Sequence, residues 1–513
     1  MAARARKVVV IGAGIGGLVS ALELTAAGCE VTVLERAATP GGKLRQIAIG
    51  DARIDAGPTV FTMRWVFDAI FDAVGAKLED HIPLQSVERL ARHAWDGAKT
   101  LDLFTDVNRS ADAIAAFAGP AEARGYRAFA DRAQRIFNTL DTTFMRAQQP
   151  GHAMGLASRI VSPAALFGMS PFATLWSGLS EHFKDKRLLQ LFGRYATYCG
   201  SSPWLAPATL MLVAHAERRG VWLVDGGMHR IATAIAALAT ARGASFRYNS
   251  HVVEITTAAG RVSGVKLADG ERIEADAVVF NGDIAAVFGG LLGAAAAGGV
   301  TRPQDYQRSL SALTFTTHTA TSGFPLLRHN VFFSDNYPLE FDEIFKRGKL
   351  PSAPTVYVCA QDRGDDEAPH DGLERLLILS NAPARGDTTS FDAAEIAPCE
   401  TRTFELLTRC GLTVDRHPSR EVITTPRQWN QLFPATGGAL YGMASHGAMS
   451  AFRRPGSRTK LPGLYLAGGS AHPGPGVPMA ALSGRLAAAS VKADLVSTSL
   501  SRPAATRGGT STR

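Results

Sequence analysis

Apolar and polar positions fall into three regimes along this chain. Near the N-terminus, Lys7-Val-Val-Val-Ile11 is an unbroken apolar run, as expected of a parallel strand buried on both faces. Gly12-Ala-Gly14-Ile-Gly16-Gly17 follows at once and opens a predicted helix from Leu18 to Ala27. Gly28 caps that helix, and Val31-Thr-Val-Leu-Glu35 predicts a second strand. The far end repeats the theme: Leu464 to Ala467 predicts an apolar strand entering a loop with Gly468, Gly469, Gly474 and Gly476. A helix opened by Pro478, the residue favoured at a first helical position, comes next.

Between these ends, residues 76–220 carry mainly helical periodicity. Gly226-Gly-Met-His-Arg230 starts a helix with Met228, Ile231, Ile235 and Leu238 on one stripe. Strands are predicted at His251 to Thr256, Val262 to Leu267 and Ala277 to Asn281, with turns at Ala259-Gly260 and Asp269-Gly270. Residues 300–430 then alternate as strands, among them Ser309 to Thr319, Val331 to Phe333, Thr355 to Ala360 and Arg375 to Ser380. Such a run suits an antiparallel sheet forming one wall of a substrate cavity. Pro434 to Gly442 leads back toward the N-terminal motif, and its glycines would bring the Leu440 backbone near a bound ring. The Ser/Thr/Arg/Gly-rich tail, residues 499–513, is expected to be disordered.

The glycines carry the first chemistry. Gly12 allows a tight turn, Gly14 lets backbone approach a pyrophosphate, and Gly17 permits close helix–strand packing. Glu35 stands 18 residues past Gly17, where an acid accepts hydrogen bonds from ribose hydroxyls and its charge repels a 2′-phosphate. Gly41-Gly42-Lys43 then supplies a flexible loop and a cation able to fold back on the pyrophosphate. Asp55-Ala-Gly57-Pro58-Thr59 supplies another backbone-exposing turn, so FAD is preferred to NAD. The helix start at Pro478 offers free N–H groups and a positive dipole end, which suits the anionic pyrimidine ring of a reduced flavin.

The fingerprint, Gly-Gly-Lys, Asp55 through Trp65, and His-Pro-Gly-Pro-Gly-Val-Pro (472–478) together resemble the phytoene desaturase family of bacterial carotenoid desaturases. Asp55 through Phe67, Leu78-Glu-Asp-His81 and Ala91-Arg-His-Ala-Trp95 most resemble its 1-hydroxycarotenoid 3,4-desaturases, or methoxyneurosporene dehydrogenases. The likeness spans roughly residues 7–490. It implies an α/β fold: an FAD-binding Rossmann-like domain of the glutathione reductase/amine oxidase type, an inserted mixed substrate domain and a helical, membrane-contacting region. The FAD domain would be discontinuous, from residues 1–75, 221–300 and 431–498. The substrate domain would take residues 76–152 and 301–430, and the membrane-contacting region residues 153–220. Cofactor contacts expected on this basis are Gly12, Gly14, Ile15, Gly16, Gly17, Glu35, Gly42, Lys43, Thr59, Val60, Val253, Asn281, Leu440, Gly469, Gly476, Val477 and Met479. The Val253 backbone is expected at the adenine end.

Composition fits an enzyme that meets lipid. Its 513 residues are too many for one core, and with 46% hydrophobic against 19% charged positions the chain is on the apolar side of soluble proteins. A net charge of +8 favours an anionic surface, here lipid head groups in the absence of any nucleic-acid motif. Expected localisation is cytoplasmic, peripheral to the inner membrane. Phe172, Leu175 and Trp176, with Leu166, Phe167 and Met169 before them and the basic stretch Lys184 to Arg187 after, suit an interfacial helix or an ordinary core helix equally. Leu188, Leu189, Leu191, Phe192 and Tyr195 continue that pattern. Ile284 to Val300 has 17 residues without a charge, yet its Ala/Gly content and the N-cap residue Asp283 predict a buried crossover helix rather than a span. Met1 to Leu24 imitates a secretory signal, but the nucleotide motif uses its glycines and no cleavage is expected. The five cysteines show no CxxC pair and read as reduced; no metal site is expected.

No zinc motif, nucleophile elbow or catalytic dyad is present, so a flavin would supply the reactivity and the protein would orient the substrate. The resemblance implies hydride loss from an allylic carbon of the 3,4 bond of an acyclic 1-hydroxycarotenoid to flavin N5. A proton then leaves the neighbouring carbon, and oxygen or a quinone takes the electrons. Arg64 and His472 are the polar groups expected near the reaction, each inside a motif close to the ring. A flavin amine oxidase and a non-redox prenyl-lipid binding protein on the same scaffold are the alternatives.

Overall fold

Val8 to Val10 are almost wholly buried because the strand they form lies in the middle of a parallel sheet. The structure, a computed structural model, describes residues 5–97, 99–148, 172–367 and 370–500, with the side chains of 497–500 excepted. Five parallel strands run in the order Ser245–Arg247, Glu30–Leu34, Lys7–Ile11, Ala277–Phe280 and Leu464–Leu466. Val8 pairs with Val31 on one side and Ala277 on the other, and Val279 pairs with Tyr465. The two ends of the chain thus share one sheet, as their apolar runs predict.

Alternate residues serve opposite faces of this sheet. Val8 and Val10 pack with the helices Ile15–Ala26, His229–Ala241 and Val477–Leu500, whereas Val9 and Ile11 pack on the antiparallel excursion Val252–Ala258, Arg261–Leu267, Arg272–Glu274. The excursion's third strand is Arg272–Glu274, and Ala277–Phe280 is the strand that returns to the parallel sheet. Helix Ile15–Ala26 is buried along nearly its whole length against Val477–Leu500. A Cβ on Gly484 would stand 2.3 Å from the Gly16 carbonyl, so the crossing needs glycine there. Ser20 donates to the Gly484 carbonyl at 2.9 Å across the same crossing.

A second sheet has seven strands in the order Glu421–Thr424, Ser311–Thr319, Glu374–Ala382, Val356–Ala360, His329–Phe332, Arg89–Trp95, Lys99–Phe104. Its pairs are antiparallel except His329–Phe332 with Arg89–Trp95, which is parallel. Leu313, Phe315, Val356, Val358, Leu376 and Ile378 face helix Ala393–Arg409. Their neighbours Thr314, Thr355, Tyr357, Leu377, Leu379 and Asn381 face a cavity between the sheets.

Two expectations need correction. Residues 76–220 are helical in Val107–Ala118 and Pro120–Leu140 but also supply strands Leu84–Val87, Arg89–Trp95 and Lys99–Phe104, the last two completing the large sheet. Ile284 to Val300 is two short helices, Ile284–Phe288 and Ala294–Gly299, because Gly290 and Gly293 take positive φ between them. Asp283 caps the first, accepting from the Ala285 N–H at 3.0 Å. Leu188, Leu191, Phe192 and Tyr195 are core, and the preceding basic stretch is tied locally: Arg187 pairs with Asp185 and stacks on Phe117, while Lys184 and Asp185 donate backbone N–H groups to Glu122. Leu166, Phe167 and Met169 lie outside the described residues, as do residues 501–513 of the tail.

Candidate functional site

Both glycine-rich loops open onto one cavity of about 1150 Å³. Helix Ile15–Ala26 begins at Gly14 without a side-chain cap, so its first N–H groups remain open to an anion. Gly12, Gly14, Ile15 and Gly16 border the cavity beside this helix start. Gly17 does not: its missing Cβ would lie 2.1 Å from the Gly12 carbonyl, a packing glycine inside the turn. Glu35 borders the cavity where its strand ends, accepting from the Ala13 N–H at 2.7 Å and the Ala37 N–H at 2.8 Å. Each carboxylate oxygen keeps a lone pair for a ribose hydroxyl. Val252 borders the cavity, whereas Val253, whose backbone is expected at an adenine, does not line it.

The second loop meets the first at Asn281. A Cβ on Gly16 would come within 2.7 Å of Asn281 Nδ2 and 2.8 Å of the Gly468 nitrogen, and one on Gly14 within 2.7 Å of Asn281 Oδ1. Asn281 Nδ2 donates to the Ala467 carbonyl at 3.1 Å, while its buried Oδ1 has no partner among the described residues. Gly469, Gly476, Val477 and Met479 border the same cavity at the start of helix Val477–Leu500. The uncapped start of helix Ile15–Ala26, the glycine-lined start of helix Val477–Leu500 and an orphaned amide oxygen, converging where added Cβ atoms would collide, fit a group with a pyrophosphate and a flat polar ring system.

Thr59, Val60, Gly42, Lys43 and Leu440 border the cavity between these loops. Lys43 Nζ donates to the Leu440 carbonyl and lies 5.4 Å from the Phe433 ring centroid, and burial lowers its pKa. Arg454, which the sequence does not announce, is a second buried cation. It donates to the carbonyls of Met443 at 2.6 Å and of Tyr441 and Gly469 at 3.3 Å each. Asp55 also acts at a distance, capping helix His229–Ala241 through the Met228 N–H at 2.6 Å.

Neither expected reaction group borders the cavity. Arg64 pairs with Asp68 at 3.3 Å and with Glu79, its guanidinium directed outward, while the preceding Met63, at φ 52°, faces in. His472 is buried, hydrogen-bonded through Nε2 to the Ala147 carbonyl at 3.0 Å and set edge-on to Phe144. Burial lowers its pKa to about 4, so its ring is neutral at neutral pH and holds the loop.

What the sequence left unmarked is a polar cluster in the otherwise apolar wall. Arg194, Tyr198 and Glu217 border the cavity; Glu217 accepts from Tyr195 at 2.7 Å and from Tyr198. Nearby, Tyr357 joins Thr59 at 2.7 Å and His329 Nδ1 at 2.8 Å. Burial, with the guanidinium groups of Arg328 and Arg194, pushes His329 down to about 3, leaving it neutral. Polar residues interrupting the apolar run from Leu188 to Cys199 are the one local signal that points here.

A parallel sheet that closes both ends of the chain around one cavity defines a dinucleotide-dependent enzyme. Residues 15–321 match the family described as flavin containing amine oxidoreductase. The chain is 54% identical to a hydroxyneurosporene desaturase of Rubrivivax gelatinosus over 99% of its own length and 98% of that protein's. It is 46% identical to one of Cereibacter sphaeroides over 96% and 99%. A putrescine oxidase structure shares the fold at a TM-score of 0.59 and 14% identity, over 95% of this chain and 99% of that one. The chain belongs to the flavin containing amine oxidoreductase family and, within it, to the carotenoid desaturases of the phytoene desaturase type. It is an FAD-dependent oxidoreductase.

Proposed function

We propose that this chain desaturates an acyclic 1-hydroxycarotenoid at the 3,4 bond. One observation carries the reading most: a single cavity runs from the paired glycine loops to a largely apolar wall built by alternate residues of the large sheet. Leu377, Leu379 and Val331 there give a polyene apolar contact without a charged partner. Bound FAD supplies hydride acceptance. The chain's own residues hold the allylic carbon against the ring, exclude water and leave the proton of the adjacent carbon to a weak base, since charge delocalised along the polyene makes it acidic.

Cofactor contacts are proposed at the cavity residues named above, with the Glu35 carboxylate toward ribose and Leu440, Gly469 and Met479 toward the ring. We propose that substrate is drawn from a membrane surface. Exposed Phe172 and Met449 border the cavity with Pro207, and the carbonyl of exposed Leu205 accepts from the Gly447 N–H at 2.8 Å, two residues before Met449. Among the described residues no helix is long and apolar enough to cross a bilayer. Oxygen or a quinone is the proposed electron acceptor.

The test is to supply FAD-loaded protein with 1-hydroxyneurosporene in liposomes. The absorption bands are expected to shift red by one conjugated double bond; conversion of phytoene alone, or of a polyamine alone, would replace this reading.

A further inference from the structure

Arg194 is 9% exposed and borders an apolar cavity, its guanidinium 5.1 Å from the Tyr198 ring centroid and 5.9 Å from that of Tyr195, yet few of its hydrogen-bond donors are spent. Among the described residues Nη1 is its one atom with a hydrogen-bond partner, the Tyr198 hydroxyl at 3.3 Å, and Nε is buried without any. A guanidinium carries five N–H donors, so most are unspent. The neighbouring phenol is the converse case. Tyr198 donates its proton to Glu217 and its oxygen accepts from Arg194 Nη1 at 3.3 Å, which leaves the second lone pair of that oxygen for a ligand. Tyr195, on the other oxygen of Glu217, does not border the cavity.

A polar set buried without full partners costs stability unless a ligand completes it. Here the wall presents donors from Arg194 and an acceptor from Tyr198. An alcohol uses both; a hydrocarbon uses neither, and a carbonyl uses only the donors. Arg194 and Tyr198 line the same cavity as Leu440, and the backbone joins their segment to it. The Leu310 N–H donates to the Gly200 carbonyl at 2.9 Å, and the Leu310 carbonyl accepts from the Leu440 N–H at 3.0 Å. A single residue therefore separates the turn after Tyr198 from the Leu440 backbone proposed at the ring. In a 1-hydroxylated chain the hydroxyl stands two carbons from the 3,4 bond, within about 5 Å by ordinary bond lengths.

We propose that Arg194 and Tyr198 form a hydroxyl subsite: Arg194 donates to the oxygen of the substrate's 1-hydroxyl, whose proton is accepted by the Tyr198 oxygen while Glu217 fixes the phenol. This rests on the desaturase reading above. Glu217 is a positioning residue, and Arg194 and Tyr198 set substrate choice.

Tryptophan quenching of the FAD-loaded protein measures equilibrium binding of a 1-hydroxylated acyclic polyene and of the same polyene without the hydroxyl, both in micelles. Wild type is expected to prefer the hydroxylated ligand about tenfold or more. Tyr198→Phe and Arg194→Met each reduce that preference to within about threefold, chiefly by weakening the hydroxylated ligand. Tyr195→Phe, which perturbs the same carboxylate from outside the cavity, leaves the preference in place. If Tyr198→Phe fails to load flavin, Arg194→Lys, which keeps the charge and loses the fork, carries the comparison. Equal loss for both ligands, or the same effect from Tyr195→Phe and Tyr198→Phe, overturns the subsite. Conversion is followed in parallel: wild type that desaturates the hydroxylated polyene with no binding preference removes the subsite alone, and wild type that converts neither polyene removes both readings.

Discussion

At the scale of single residues, burial decides which groups can act. Glu340 is fully buried and accepts from the Thr355 N–H at 3.1 Å, the Thr355 hydroxyl at 2.7 Å and Asn381 at 2.8 Å. Desolvation outweighs those donors and pushes its pKa up from 4.5 to about 7. The folded protein thus holds a proton that the unfolded chain releases earlier. The contribution of this group to stability is complete below the unfolded value and declines as pH climbs from about 4.5 to about 7, by up to about 1.4 kcal/mol per pH unit. Glu340→Gln is expected to remove that slope: between about pH 5 and about pH 8 the wild-type melting temperature falls more than the variant's, and parallel slopes would contradict it. The same burial argument separates Arg64 and His472 from the chemistry expected of them. Their motifs do lie near the loops, but a sequence shows which residues are close along the chain and not which way a side chain turns. Met63 turns in and Arg64 turns out. The polar wall was illegible for a different reason. Arg194 and Glu217 are 23 residues apart in sequence and meet only after the helices fold, so no spacing rule applies to them.

Elements were read best where a local rule and the tertiary outcome agreed. The apolar runs at Lys7 and Leu464 are buried on both faces, and that alone predicts parallel strands covered by helices, the first central and the second at the sheet edge. The strands Ser311–Thr319 and Glu374–Ala382 were legible because one face meets a helix and the other a cavity. Arg89–Trp95 was missed because Arg92 and His93 are themselves buried, the first paired with Asp102 at 2.8 Å, which breaks the alternation a strand should show. The helix crossing at Gly16 and Gly484 yields a sharper test. Gly484→Val would force a side chain against the Gly16 backbone and is expected to cost about 1–3 kcal/mol and to lower flavin retention on gel filtration. Gly298→Ala, where an added Cβ meets nothing within 4 Å, is expected to stabilise helix Ala294–Gly299 by about 0.5–1 kcal/mol with flavin retention unchanged. Equal outcomes for the two would remove the crossing as the clasp of the cofactor site.

Over the whole molecule, charge and exposed apolar surface act together. The sequence carries a net charge of +8, and Phe172, at 88% exposure, borders the cavity, as does exposed Met449. The protein is expected to sediment with anionic vesicles at low salt. Phe172→Ser with Met449→Ser should reduce the bound fraction several-fold, and so should raising salt from about 0.1 to about 1 M, which shortens screening from about 10 to about 3 Å. Sedimentation that ignores both changes would mean that substrate arrives by another route.

The placement of strand Leu464–Leu466 beside Ala277–Phe280 sets a schedule for biosynthesis. At about 5–20 residues per second, a ribosome needs tens of seconds to reach this last strand after finishing the first. For all that time the emerging polypeptide has one exposed sheet edge and half a nucleotide cradle. Prosthetic-group capture is therefore expected only once residues from Leu464 onward have emerged, and a nascent chain stalled before Leu464 should be colourless and in need of a chaperone.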